Sequence, residues 1–171
     1  MFCAVEAYAM RQWDIFEFLS RWFRNPYNFL LTLEACDGII SGSEALQYFQ
    51  TGERRFRGDD LDIFVPPHGL LTMGRYLRRA GFMFQPASDK HPFFDAAALM
   101  STSMVKNYTG IGHPTRHRSQ AYAFSTFDFV RPPPEGQYPR PECLQGRHVQ
   151  IIAVCGHPVE HIINNFHSSK P

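Results

Sequence analysis

Apolar positions recur at helical spacing in several stretches of the chain and alternate with polar positions in others. Trp13, Phe16 and Leu19 begin a pattern that fits one face of a helix over 11–24. That helix must end before Pro26, because proline disfavours the helical conformation in the residue ahead of it. The same spacing predicts further helices at 27–36, 44–50, 69–80, 94–105 and 158–166. In the helix at 44–50, we expect Ala45, Leu46, Tyr48 and Phe49 to point inward.

Strands are predicted where β-branched and aromatic residues alternate with polar ones or form short apolar runs. These strands cover 38–40, 60–65, 82–84, 121–130 and 148–154. The polar run 109–120 and the proline-rich run 132–146 are expected to be loops, since proline cannot donate to a sheet. Helices and short strands therefore mix along the chain. We expect residues 1–37 to form an N-terminal helical segment that packs on a domain formed by 38–171.

Composition indicates a globular protein. The 171 residues suffice for one domain with a core, and 44% hydrophobic against 19% charged residues argues against disorder. The 16 phenylalanines predict a core rich in aromatic rings. A formal net charge of +1 indicates neither a nucleic-acid partner nor a membrane surface. No apolar run is long enough to span a bilayer, so no membrane partner is expected.

Cysteine usage bears on the compartment. The four cysteines are Cys3, Cys36, Cys143 and Cys155, and their spacing contains no Cys-x-x-Cys pair. This pattern suggests neither a disulfide framework nor a zinc ribbon. The start of the chain carries Glu6 and no basic leader, so we predict no secretion signal. We therefore expect an intracellular, cytoplasmic location.

The segment 38–65 carries the candidate chemistry. Asp60 and Asp62 lie two apart on a predicted strand, so their side chains face the same way. Two carboxylates at close approach repel by roughly 4 kcal/mol at an effective dielectric near 20, which favours a cation between them. Magnesium suits such a pair, because it takes one or two carboxylates and fills its other positions with water and phosphates. Gly42 and Ser43 stand ahead of a predicted helix, whose free backbone N–H groups can receive a phosphate.

These two motifs together resemble a known signature. The string 40–49 (ISGSEALQYF) followed by 59–65 (DDLDIFV) resembles that of the DNA polymerase beta-like nucleotidyltransferase superfamily, and is similar to a large, mostly uncharacterised group within it. The stretch 149–169 is similar to that group as well. The resemblance implies an α+β fold with a small, mixed, largely antiparallel sheet flanked by helices. It also implies transfer of a nucleoside monophosphate from a nucleoside triphosphate to a hydroxyl acceptor.

The resemblance also implies roles for individual residues. Gly42 and Ser43 are expected to bind the triphosphate, and Arg57 to contact phosphate as a bidentate donor. Asp60 and Asp62 are expected to hold divalent metal, Mg²⁺ or Mn²⁺, for activation of the acceptor and stabilisation of the leaving pyrophosphate. Arg57 lies in a predicted basic turn at 51–58 that also holds Arg54 and Arg55. All three arginines equally fit a solvated basic loop.

The resemblance fails at one important position. Active members of the superfamily add a third carboxylate from a later strand, where this chain has Gln150. Glutamine offers a carbonyl oxygen but no charge and no proton acceptor. Asp128, on the preceding predicted strand, is the candidate substitute as a metal ligand. The helix after Pro158 also ends early for this family, which suggests a C-terminally truncated or degenerate copy.

Two hypotheses therefore stay open from the sequence. The first is a metal-dependent nucleotidyltransferase built on Asp60 and Asp62. The second is a catalytically degenerate nucleotide-binding or protein-interaction domain that retains the fold, and Gln150 favours it. Neither the acceptor nor the preferred nucleotide follows from the residues.

Overall fold

The protein is described by a computed structural model that covers residues 14–49, 60–110, 122–132 and 147–165. This part of the chain contains six helices and five strands. The helices are α1 (Ile15–Ser20), α2 (Pro26–Ala35), α3 (Gly42–Phe49), α4 (Pro67–Arg79), α5 (Phe94–Gly110) and α6 (Pro158–Asn165). The strands are β1 (Ile39–Ser41), β2 (Asp60–Val65), β3 (Met83–Gln85), β4 (Tyr122–Arg131) and β5 (Arg147–Cys155).

The five strands form one sheet in the order β1-β2-β5-β4-β3. Only the pair of β2 and β5 is parallel, and the other three pairs are antiparallel. The predicted class, a small, mixed and largely antiparallel sheet with helices around it, is confirmed. Within the described ranges, no helix has both the length and the apolar character needed to cross a membrane.

Local sequence sets the helix boundaries. Asp14 caps α1 by accepting hydrogen bonds from the backbone N–H groups of the first turn, at 2.8 and 3.2 Å. Asn25 caps α2 in the same way, and Pro26 occupies its first position, where a missing N–H costs nothing. Gly81 follows the end of α4 with a φ of +91°, as expected of the glycine that ends a helix.

The hydrophobic core lies on one face of the sheet. The strand residues fully buried on this face are Leu61, Ile63 and Val65 of β2, Val149, Ile151 and Ala153 of β5, and Phe127 and Phe129 of β4. Helices α1, α2, α4 and α5 cover the face, together with Phe23 from the segment between α1 and α2, which stacks on Phe29 with ring centroids 4.1 Å apart. The same core cluster contains Leu19, Trp22, Phe23, Phe29 and Cys36, so the described part of 14–37 packs directly on the sheet.

Helix α3 differs from the sequence prediction in its start and in its buried face. It begins at Gly42 rather than at residue 44, because Gly42 adopts a φ of +80° and lets the chain turn from β1 directly into the helix. We expected Leu46 and Phe49 to point inward, but 57% and 68% of their surfaces are exposed. Glu44 is fully buried instead and forms an ion pair with Arg21.

Other elements match their predicted positions with shifts at the ends. Helix α4 begins two residues early, because Pro67 fits the first helical position. Helix α5 extends to residue 110, so the loop predicted from residue 109 is wrong at its first two positions. The rest of both predicted loops lies outside the described residues, apart from residue 132.

Cys36 and Cys155 are free thiols. Burial is the main cause that raises the pKa of Cys36, to about 11, and the charge of Asp37 raises it further.

The contact between α4 and α5 depends on a glycine. A Cβ at position 74 would lie 2.0 Å from Cζ of Phe94. Alanine normally stabilises a helix interior by up to ~1 kcal/mol over glycine. Overpacking against Phe94 costs about 1–3 kcal/mol, which is the larger effect at this position. We expect Gly74→Ala to lower the free energy of unfolding by about 1–3 kcal/mol in urea denaturation.

The matched control is Thr72→Ala, an exposed position on the same helix. Its effect should stay within about 0.5 kcal/mol. Equal or greater stability of the Gly74→Ala variant would show that α5 moves away from α4 without cost.

Candidate functional site

Each of the five strands contributes one polar residue to a single row across the sheet. The strand register aligns Ser41, Asp62, Gln150, Asp128 and Gln85 in that order. Residues paired directly across strands point to the same face, so all five side chains lie on the face opposite the large core. We call this row the polar rung. It crosses the whole width of the sheet.

The face that carries the polar rung is divided in two. On one side of the rung, Phe64, Ile152 and Val154 are buried in a small apolar cluster against Ile162 of α6. On the other side lies the row of Asp60 and His148, and 61% of the Asp60 side chain is exposed. Helix α6 therefore covers the apolar part of this face and leaves the acidic part accessible.

His148 joins two of the carboxylates. Its Nδ1 lies 2.9 Å from Oδ1 of Asp60, and its Nε2 lies 3.1 Å from Oδ1 of Asp128. Gln150 also donates to Oδ1 of Asp128, from Nε2 at 2.8 Å. We call His148 with its two carboxylate partners the histidine bridge. Ionised carboxylates only accept hydrogen bonds, so the ring donates to both at once only when it carries a positive charge.

Asp62 stands apart from this network. Across the described residues, no hydrogen bond or ion pair reaches its carboxylate. Burial raises the pKa of Asp62, the negative charge of Asp60 raises this pKa further, and His148 lowers it. The ionised form of Asp62 is therefore held in the folded protein at an electrostatic cost, which a cation at this point would offset.

Gly42 lies directly against the Asp62 carboxylate. A Cβ at position 42 would lie 2.1 Å from Oδ2 of Asp62, and the φ of +80° also disfavours any side chain. The backbone at the start of α3 thus approaches Asp62 as closely as it does because residue 42 is glycine. Ser43 follows it with its side chain exposed to solvent.

The structure brings most of the predicted site residues together. Gly42, Asp60 and Asp62 lie at one end of the polar face, and the two candidates for the third position, Gln150 and Asp128, are hydrogen-bonded neighbours in the rung. Asp128 adds a third carboxylate, on β4, to those of Asp60 and Asp62 on the same face, and 32% of its side chain is exposed. The predicted phosphate contacts Arg54, Arg55 and Arg57 lie outside the described residues.

Two residues near the site did not follow from the sequence. The first is His148, which precedes Gln150 by two on β5, so the alternation of the strand places both on one face. Its contacts with Asp60 on β2 and Asp128 on β4 were not predictable from the sequence. The second is Lys90, which donates a hydrogen bond to the backbone of Thr126 and lies 4.1 Å from the Phe127 ring centroid. Burial lowers the pKa of Lys90, while the charges of Asp89 and Asp128 raise it.

The described residues contain no group of three or more His, Cys, Asp or Glu side chains arranged as a complete metal centre. Comparison of the chain with protein-family models, curated proteins and solved structures gives no match. The superfamily suggested by the two motifs therefore stays a prediction.

The environment of Asp62 predicts a pH-dependent gain in stability on its neutralisation. Because its pKa is higher in the folded state than in the unfolded state, ionisation of Asp62 destabilises the fold, and stability falls as pH rises through that interval. We expect Asp62→Asn to unfold at a higher urea concentration than the wild type at about pH 7. Below the ordinary aspartate pKa of about 3.9, where both states are protonated, the difference should disappear.

Asp37→Asn is the control for this measurement, since Asp37 is exposed and pairs with His68 at 3.1 Å. It should show no such gain. A loss of stability in Asp62→Asn at neutral pH would mean that the Asp62 carboxylate has a stabilising partner in solution.

Proposed function

We propose that this chain is a metal-dependent nucleotidyltransferase, which moves a nucleoside monophosphate from a nucleoside triphosphate to a hydroxyl acceptor. The observation that carries the proposal is the position of Asp62. Its carboxylate shares a face with Asp60, accepts no hydrogen bond within the described ranges, and lies against the Gly42 backbone at the start of a helix. The two sequence motifs suggest the same residues independently.

The donor set fits Mg²⁺ or Mn²⁺. Both ions favour carboxylate oxygens, and magnesium is commonly held by one or two carboxylates while phosphates and water fill its other positions. A site built on Asp60 and Asp62 therefore needs no complete protein cage. When bound, the metal would polarise the phosphate and stabilise the charge that develops on the leaving group.

The start of α3 is the proposed phosphate site. Its first backbone N–H groups have no partner within the helix, and the helix dipole favours a negative charge there. Gly42 permits close approach of a ligand to the backbone for the same reason that it permits close approach to Asp62. Ser43 adds an exposed hydroxyl, and Arg57 is proposed as a further phosphate contact.

In the proposed transfer, the acceptor oxygen forms a bond to the α-phosphorus. The bond from the α-phosphorus to the bridging oxygen breaks, and pyrophosphate leaves with that electron pair. The hydroxyl proton requires a base, which Gln150 cannot supply. Asp128 is the carboxylate next to it, and the hydrogen bonds from Gln150 and His148 hold Asp128 in place as the acceptor of the proton.

A degenerate domain is the second candidate. It is supported by Gln150, which pairs directly with Asp62 in the rung and, by the resemblance to the superfamily, stands in place of a third carboxylate. Such a domain would bind a nucleotide or a protein partner without transfer. We propose a cytoplasmic location for either case, since the free thiols of Cys36 and Cys155 suit a reducing compartment.

The test is calorimetric binding of each nucleoside triphosphate with and without Mg²⁺. We expect magnesium-dependent binding by the wild type that weakens at least about tenfold, or about 1.4 kcal/mol, in an Asp60→Asn/Asp62→Asn double variant. The Asp37→Asn variant provides the matched control, because it removes an exposed carboxylate that pairs with His68 and is not a member of the polar rung, so it should bind as the wild type does.

Absence of binding by the folded wild type would overturn the enzyme proposal. Binding without turnover, measured as no pyrophosphate release with any hydroxyl acceptor, would favour the degenerate domain. Asp128→Asn then separates the two further: in an enzyme it should lower turnover while nucleotide affinity changes little.

A further inference from the structure

The histidine bridge occupies the space where the carboxylates of the site face one another. The His148 side chain is about three-quarters buried, with 26% of its surface exposed, and both of its ring nitrogens are directed at carboxylate oxygens. Asp60 thus presents one of its two oxygens to the ring. The same aspartate is one of the two carboxylates that the proposed function assigns to a divalent cation.

This geometry differs from that of a metal-bound histidine. A ligating imidazole coordinates through one nitrogen and donates from the other, often to a carboxylate. In His148 both nitrogens face carboxylates, so coordination requires one of the two contacts to break. A cation that takes both oxygens of Asp60 must likewise displace the ring.

We propose that His148 competes with divalent metal for Asp60, and so keeps the pair of Asp60 and Asp62 closed to free cations until a nucleotide supplies additional phosphate ligands. The inference rests on the proposed function for the identity of the metal site. The competition itself depends only on the contacts among His148, Asp60 and Asp128. It makes a prediction of opposite sign to a ligand role, since removal of a competitor tightens metal binding and removal of a ligand weakens it.

The experiment measures binding of Mn²⁺ alone, without nucleotide, from the loss of the free-ion signal in electron paramagnetic resonance. We expect His148→Gln to bind Mn²⁺ about tenfold more tightly than the wild type. Glutamine keeps a hydrogen-bonding side chain but cannot carry a positive charge. His68→Gln is the matched control, because His68 also faces an aspartate, Asp37 at 3.1 Å, and its removal should leave Mn²⁺ affinity unchanged.

Unchanged or weaker Mn²⁺ binding by a folded His148→Gln variant would overturn the inference. His148→Ala provides a second test and should show the same gain, with folding verified by circular dichroism. If both variants fail to fold, ring ¹⁵N signals of His148 in the wild type decide: saturating Mg²⁺ should move them to the values of a ring released from Asp60 and not bound to metal. Signals of a metal-bound nitrogen, or no change at saturation, would overturn the proposal.

The two proposals can fail separately. Tighter Mn²⁺ binding by His148→Gln, together with no nucleotide binding by the wild type, would support the competition and remove the transferase. Magnesium-dependent nucleotide binding by the wild type without any gain in His148→Gln would do the reverse.

Discussion

The close approach of Gly42 to Asp62 is the contact on which the arrangement of the site depends. Strand β1 ends at Ser41, opposite Asp62, and α3 begins at the next residue. Only a residue without a side chain can make that turn so near the carboxylate. The start of α3 and the acidic strand β2 are therefore brought together by one backbone conformation, that of Gly42.

The N-terminal segment holds the start of α3 in place through an ion pair. Glu44 lies in the first turn of α3, fully buried, and pairs with Arg21 just after α1. Arg21 is half-exposed, so solvent weakens its attraction to Glu44, but the Glu44 carboxylate is fully buried and loses a charged partner when Arg21 is removed, which destabilises the fold. The start of α3 is thus fixed on one side by β1 and on the other by α1, which makes the described part of the N-terminal segment a structural component of the site.

Local features were predictable from the sequence and long-range pairings were not. Strand β2 has the predicted bounds, because the alternation of Asp60, Leu61 and Asp62 is unambiguous. The buried face of α3 was predicted wrongly at Leu46 and Phe49, which are exposed, whereas Glu44 is buried in an ion pair with Arg21, a partner that the local pattern could not indicate. His148 was missed because its role depends on the parallel pairing of β5 with β2, which leaves no trace in the local pattern.

That parallel pairing has a consequence for the order in which the molecule assembles. Asp60 and His148 are 88 residues apart, and loop closure over such a length costs about 4 kcal/mol of chain entropy. During synthesis, the glycine turn and both aspartates leave the ribosome well before β5 does. A nascent chain therefore exposes Asp60 and Asp62 before His148 can contact Asp60. That contact forms only when β5 has inserted between β2 and β4.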